Sequence, residues 1–491
     1  MLLDGHREED RRIYERSARL MFLLALRDIA PEAKACFEHS LGRGVFLTLR
    51  GVAADRALAL RVEERMREIT RADLPILKRR ISRVEAIALF RSIGREDTVR
   101  LLKYRPFSYL DITECNGYCE YFYGAMARST GDIRQYALQP YYPGLVLLLP
   151  DKDFSAAPAP LTDRPGLMRA YQRAQKNAEL AGCRNAADLN DLRERGEMRT
   201  LIRVAESQQQ RGIDHIAEHI AERGSRVVFV SGPSSSGKTT FANRLGISLR
   251  VFGLRPVPVS LDDYYRNRDE VPLAEDGKPD LECPEAIDIP LFNEQLLRLL
   301  EGQRVELPRY SFLTKMREKE GTPMTLGPED ILVVEGIHGL NPLLSENIPG
   351  GYKYQVYVSA LTSLNLDDHN RIRATDARLL RRMVRDQRSR GSSVTETMEM
   401  WDAVRAGEEK HIYPFQENAD VLFDTSLVYE IPILKKYAYS LLTAVPEEYP
   451  QYTRIRRLVK FLNYFRDSEE ESEIPPTSIL REFIGGCTFY Q

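Results

Sequence analysis

The stretch from Val227 to Thr240 constrains this chain more than any other. A short apolar run, Val227-Val228-Phe229-Val230, ends at Ser231 and passes directly into Gly232-Pro233-Ser234-Ser235-Ser236-Gly237-Lys238-Thr239. Four consecutive apolar residues fit a strand buried on both faces. The loop after it is the G-x-x-x-x-G-K-[ST] pattern in full. Its glycines let backbone N–H groups turn inward around phosphate oxygens, and a helix starting near Lys238 adds its positive end. The Lys238 ammonium can reach the outer phosphates, and the Thr239 hydroxyl can ligate Mg²⁺. Residues Gly232 to Thr240 are therefore expected to cradle the phosphates of ATP. The alternative is a Ser/Gly-rich loop without a ligand, and it is disfavoured by the strand before the loop and the helical Phe241-Ala242-Asn243-Arg244-Leu245 after it.

Further apolar runs follow at Val257–Leu261, Ile331–Val334, Gln355–Val358 and Val421–Phe423, with helical stretches between them. Buried strands alternating with helices predict an α/β domain with a parallel sheet flanked by helices, over residues 225–445. At 491 residues the chain is long enough for roughly three domains. Residues 1–165 mix helical spacing (Val62, Met66, Ile69) with alternation (Val45, Leu47, Leu49) and read as a separate α+β domain. The Pro-rich stretch Pro150 to Pro165 marks its end. Residues 166–224 read as a polar helical connector packed against its neighbours. Residues 446–491 read as a tail, with the acidic run Asp467 to Glu473 in a solvated loop before Pro475-Pro476.

Composition removes several classes. Lys+Arg 70 against Asp+Glu 72 gives a net charge of -2, which excludes a bulk polycation for nucleic acid. The apolar runs fall short of the ~18 residues of a membrane span, and the charged start tolerates no secretory signal. Six scattered cysteines make no disulfide scaffold. A cytoplasmic protein without a membrane partner is expected.

Two strand ends beside the loop carry carboxylates. Val257–Leu261 runs into Asp262-Asp263-Tyr264-Tyr265, and Ile331–Val334 ends in Glu335-Gly336. Ligands bind at the C-terminal edge of such sheets. Asp262 is thus a candidate catalytic carboxylate, with a helix N-cap as its plain alternative, and Glu335 a candidate metal or water ligand. From Arg371 to Arg390 there are eight Arg and two Asp, a local charge of +6. At helical spacing Arg378, Arg381, Arg382, Arg385 and Arg388 share one face, opposite Leu379, Leu380, Met383 and Val384. The Arg face is either solvated or a lid that meets charge on a transferred phosphoryl group.

These residues together resemble the uridine kinase and phosphoribulokinase family. The likeness runs through Leu261 to Tyr265, Leu281 to Asp288, Pro308 to Phe312, Val334 to Ile337 and the stretch ending Arg385-Asp386. It implies transfer of the ATP γ-phosphoryl group to the 5′-hydroxyl of a pyrimidine nucleoside, uridine first. It further implies Asp262 as the base on that hydroxyl, Lys238, Arg382 and Arg385 on the phosphates, and Tyr265 and Glu282 beside the sugar. Tyr310 and Phe312 would flank the base, Lys315 and Arg390 would complete the substrate contacts, and Glu335 would join Thr239 at Mg²⁺. The sequence departs from the family at two positions, with Lys315 in place of His and Ser392 in place of Arg.

Residues 30 to 140 resemble the editing-type second domain of threonyl-tRNA synthetases, through Arg61 to Ile69 and Tyr121 to Met126. Editing there needs an H-x-x-x-H pair plus a Cys and a His. Phe122 and Met126 stand at the last two positions, so a domain without editing is expected. His215-Ile216-Ala217-Glu218-His219 and the pair Cys115 and Cys119 lack further zinc ligands, and both are expected to be structural. Rival readings are a kinase of another small alcohol, such as a sugar phosphate, and a nucleotide-switched tRNA- or RNA-binding regulator. No feature supports tRNA binding by the first domain, and homo-oligomer formation is left open.

Overall fold

The computed structural model describes residues 7–274, 277–311 and 314–489. Phe312, one of the expected base-flanking residues, lies outside them.

Five parallel strands form the central sheet: β1 Val227–Ser231, β2 Arg255–Ser260, β3 Asp330–Glu335, β4 Lys353–Ser359 and β5 Val421–Asp424. Their order is β5-β4-β1-β3-β2, with every neighbouring pair parallel. All five follow the apolar runs of the sequence. β1 and β3 are the most deeply buried, which is why they read as continuous Val, Ile, Leu and Phe rather than as alternation.

Six helices position the site. They are α1 Met198–Arg223, α2 Lys238–Val251, α3 Ile289–Leu300, α4 Ala374–Ser389, α5 Val394–His411 and α6 Glu430–Thr443. The first of these comes from the expected packed connector and forms a core layer. Its Ile213, Ile216, Ala217 and Ile220 are buried in one cluster with Phe241, Leu245 and Leu249 of α2. On its outer face His215 and His219 are exposed, so the H-x-x-E-H pattern faces solvent.

The first domain holds two antiparallel sheets. One has four strands in the order Lys34–Leu41, Gly44–Arg50, Gly144–Leu148, Ala137–Tyr141, backed by helices Glu8–Ile29 and Arg56–Ala72. In the other, Tyr109–Cys115 pairs with Leu77–Ser82 on one side and with Tyr118–Glu120 on the other. Phe122 is buried in this domain's core with the Arg19 guanidinium 5.2 Å from its ring centre, and Met126 packs against the same cluster. Helix Glu8–Ile29 is bolted to the Arg-rich helix. Arg12 pairs with Asp376 at 3.0 Å, and Glu15 pairs with Arg371 at 3.0 Å and with Arg373.

The tail departs from the expected solvated loop. It forms a helix over Tyr452–Leu462 and a short turn over Arg481–Ile484, and Ile474, Ile479, Leu480, Phe483 and Ile484 are buried. The acidic run is paired in part, Glu471 with Lys436 at 2.7 Å and Glu473 with Arg199 at 2.9 Å, while Asp467 stays largely exposed. Charge density in the sequence hid an apolar stripe that the sheet domain needed as cover.

Candidate active site

The phosphate loop joins β1 to α2. Gly232 passes so close to β4 that a Cβ there would stand 1.9 Å from the Val358 carbonyl oxygen. Gly237 has φ +84°, a left-handed conformation that side chains resist, and so starts α2 with its amides turned toward the loop. The hydroxyls of Ser235 and Ser236 are buried without a hydrogen-bond partner among the described residues. Buried polar groups without partners inside a concave loop suit a ligand rich in acceptor oxygens, and on that observation the loop fits a polyphosphate.

Lys238 is half-buried, and its Nζ donates to the Pro233 carbonyl at 3.2 Å. Burial pushes its pKa down, while Glu335, Asp262 and Glu482 pull it back up. One ammonium thus faces three carboxylates. The Thr239 hydroxyl donates to Glu335 Oε1 at 3.3 Å, so the end of β3 and the start of α2 converge. Gly336 makes this possible, since a Cβ there would lie 2.6 Å from Leu261. Burial and the neighbouring Asp262 raise Glu335 to about 7. Among the described residues no cluster of three or more acidic, His or Cys side chains could hold a metal by itself, but Glu335 and the Thr239 hydroxyl are hard oxygen donors of the kind Mg²⁺ takes together with phosphate oxygens.

Asp262 follows β2. Burial raises its pKa, Asp263 adds to this, and Lys238 and Arg390 oppose it. The plain alternative of a helix N-cap does not hold, because Ser260 caps this turn and accepts from the Asp262 amide at 3.3 Å. The Asp262 carboxylate therefore has no part in the cap. Asp263 accepts from the Tyr310 amide at 3.3 Å. Tyr265 is buried, donates to the Leu281 carbonyl at 3.0 Å, and stacks obliquely with Tyr310 at 5.6 Å.

Glu282 meets α5 at Gly407, where a Cβ would stand 2.4 Å from the Glu282 Cβ. Burial raises it to about 7, helped by the like charge of Glu408 and opposed by Arg382 and Lys238. Lys315 is exposed in the turn of a small hairpin, with φ +59°.

The Arg helix corrects the two-faced picture drawn from the sequence. Arg378, Arg381 and Arg382 are as buried as the apolar residues opposite them. Acidic partners supplied by other elements explain this. Arg378 pairs with Glu408 of α5, and Arg381 with Glu430 at the start of α6. Arg382, Arg385 and Arg390 gather on the fully buried Asp386 at 3.2, 2.8 and 3.7 Å. Arg382 also donates to Ser234 Oγ at 2.9 Å, which brings it to the phosphate loop. Arg385 makes no such contact among the described hydrogen bonds; its Nε donates to Asp386 at 2.9 Å.

Four site neighbours escaped the sequence reading. Glu408 accepts from the Ser234 amide at 3.2 Å, Thr425 donates to the Ser236 carbonyl at 2.5 Å, and Glu482 accepts from Thr240. His338, two residues after Gly336, is buried and lowered to about 4 by burial and by His411. None carries a local motif. Only the fold brings them to the loop, although His338 lies within reach of the Glu335-Gly336 signal.

Residues 227–431 match the model of the phosphoribulokinase / uridine kinase family. A uridine kinase of Lactobacillus helveticus is 30% identical over 197 residues, 40% of this chain and 84% of that protein. One from Borrelia duttonii is 28% identical over 198 residues, with 40% and 85% covered. Among solved structures, a protein described as a possible uridine kinase from Bacillus stearothermophilus is 19% identical with a TM-score of 0.29, covering 43% of this chain and 98% of that one.

Proposed function

The chain belongs to the phosphoribulokinase / uridine kinase family, and from that premise we propose that it phosphorylates the 5′-hydroxyl of a nucleoside, uridine first, at the expense of ATP. An ATP-dependent kinase of a small alcohol is the coarser statement, and the relatives carry it. The finer one rests on a single observation. Asp262, relieved of a capping role by Ser260, stands beside Lys238 and Arg390 at the sheet edge where the Tyr265–Tyr310 pair offers an aromatic wall.

In this reading Asp262 accepts the proton of the attacking hydroxyl as its oxygen bonds to the γ-phosphorus and the bond to the ADP oxygen breaks. Lys238 and Arg382 present cations to the charge that gathers on the phosphoryl oxygens. Thr239 and Glu335 would hold Mg²⁺, which supplies further charge neutralisation when bound. Glu282 takes the sugar hydroxyls, and the tyrosines bound the base.

The first domain is read as a synthetase-like module without editing activity, because Phe122 and Met126 are packed side chains that can activate no water. The test of the kinase reading is direct. Purified protein is incubated with Mg-ATP and a panel of nucleosides and sugar phosphates, and ADP release is followed. Turnover confined to nucleosides supports it; turnover confined to sugar phosphates replaces it with the rival acceptor.

A further inference from the structure

The C-terminal segment lies beyond the residues matched by the family model, which end at 431, yet it touches the phosphate loop. Ile479 packs on the loop glycine, such that a Cβ at Gly237 would stand 2.5 Å from Ile479 Cγ2. Three residues on, Glu482 Oε2 accepts from the Thr240 hydroxyl at 2.8 Å and from the Thr240 amide at 3.3 Å. That amide is the third of α2. The first-turn amides of a helix have no acceptor within it, and in a phosphate loop they are the groups offered to phosphate oxygens. A protein carboxylate therefore sits on donors that suit the nucleotide.

The segment holds this position firmly. Ile479, Leu480 and Phe483 are buried. Arg388 of α4 donates to the carbonyls of Glu482 and Phe483, both at 3.2 Å, and the Arg381 guanidinium stands 5.0 Å from the centre of the Phe483 ring. The Glu482 side chain itself is only half-buried. A change of rotamer would withdraw the Glu482 carboxylate from Thr240 while the backbone stays anchored.

We propose that Glu482 is an internal competitor of the nucleotide, a carboxylate that holds the Thr240 donors against phosphate and has to be displaced when ATP binds. The proposal rests on reading Gly232 to Thr240 as the nucleotide loop. It explains why a third carboxylate is brought to Lys238 from outside the sheet, where Glu335 and Asp262 already face it.

The test is calorimetric titration of the full-length protein with Mg-ATP and with inorganic tripolyphosphate, in the parent, Glu482→Gln and Glu482→Ala. Glutamine keeps the shape of the side chain and an acceptor for Thr240, so it guards against loss of folding. Both ligands should bind about tenfold tighter to the variants, the worth of removing the charge from the hydrogen bond that competes with phosphate. Unchanged or weaker ATP binding in variants of a parent that binds ATP overturns the proposal and leaves the loop reading intact. Tighter ATP but unchanged tripolyphosphate also overturns it, because the competition would then lie at the adenosine half. Failure of parent and variants alike to bind either ligand removes the loop reading, and the proposal falls with it.

Discussion

Arg378 and Glu408 close a buried ion pair around Ser234: the Arg378 Nε donates to its carbonyl at 3.0 Å, and Glu408 accepts from its amide at 3.2 Å. Both ends of one loop residue are thus fixed by two helices that follow β4. Arg405 and Tyr413 add further donors to the same carboxylate, both at 2.9 Å. Removing one partner strands a buried charge. Glu408→Gln should cost about 3–5 kcal/mol in urea denaturation, and Arg378→Met with Glu408→Leu should recover much of it. A loss under about 1 kcal/mol in the single variant would mean that the pair is not buried in solution.

Lys238 and Asp262 serve different steps. Lys238→Ala should lose nucleotide affinity and turnover together, since a cation on the phosphates is gone. Asp262→Asn should keep nucleotide affinity and lose turnover by roughly 10²–10⁴, the usual worth of a positioned base. Titration of ATP into each variant alongside steady-state rates separates the two, and near-parental turnover in Asp262→Asn would sink the base assignment.

The two lid arginines should differ. Arg382 reaches Ser234 Oγ at 2.9 Å, whereas Arg385 is held by Asp386. Arg382→Ala should lower kcat by roughly 10²-fold, with a smaller change in ATP affinity, as expected of a group acting on transition-state charge. Arg385→Ala should lose less than Arg382→Ala. Equal losses would place both on the phosphates, and no loss in either would leave the Arg face purely structural.

Protons and Mg²⁺ should compete at Glu335. Its raised pKa, about 7, means that the folded protein binds a proton there which the unfolded chain releases nearer the ordinary glutamate value of 4.5. Without metal, stability from this group is therefore present below about pH 5 and lost as pH rises through about 7. Mg²⁺ affinity should run the other way, rising about tenfold per pH unit below 7 and levelling above it. Glu335→Gln should abolish both slopes. A parental Mg²⁺ affinity that is flat from pH 5.5 to 8 would exclude Glu335 as a ligand.

The Lys315 position is read differently from the sequence and from the fold. The resemblance implies a base contact, and an ammonium that only donates would favour uracil carbonyls over the cytosine amino group. The side chain is exposed in its hairpin turn. Lys315→His should therefore alter the ratio of kcat/KM for uridine and cytidine by no more than about twofold, as for an ordinary surface change. A shift of tenfold or more would restore the base contact.

The sheet was legible because its chemistry is local. Strands buried on both faces must be apolar throughout, and a phosphate loop must carry its glycines and lysine in sequence, so Val227 to Thr239 declared both at once. The places of Asp262 and Glu335 at strand ends beside the loop could be read from the same pattern. The Arg helix was half legible. Its apolar face could be read from spacing, but the burial of Arg378 and Arg381 depends on Glu408 and Glu430, which lie 30 and 49 residues away. The tail is legible only in part for the same reason. Its acidic run reads as solvated until Lys436, Arg199 and Arg203 are brought opposite, and Glu482 has no meaning before Thr240 is placed beside it.

The central claim is that the Asp262 edge of the sheet transfers phosphate to a nucleoside 5′-hydroxyl. Phosphorus-31 NMR of the product formed from uridine and Mg-ATP, in the parent and in Asp262→Asn, tests it most directly. The account predicts a monophosphate ester on the 5′-oxygen with stoichiometric ADP in the parent, and a rate lower by roughly 10²–10⁴ in the variant. ADP release with no nucleoside phosphate formed, or equal product from both proteins, would contradict it.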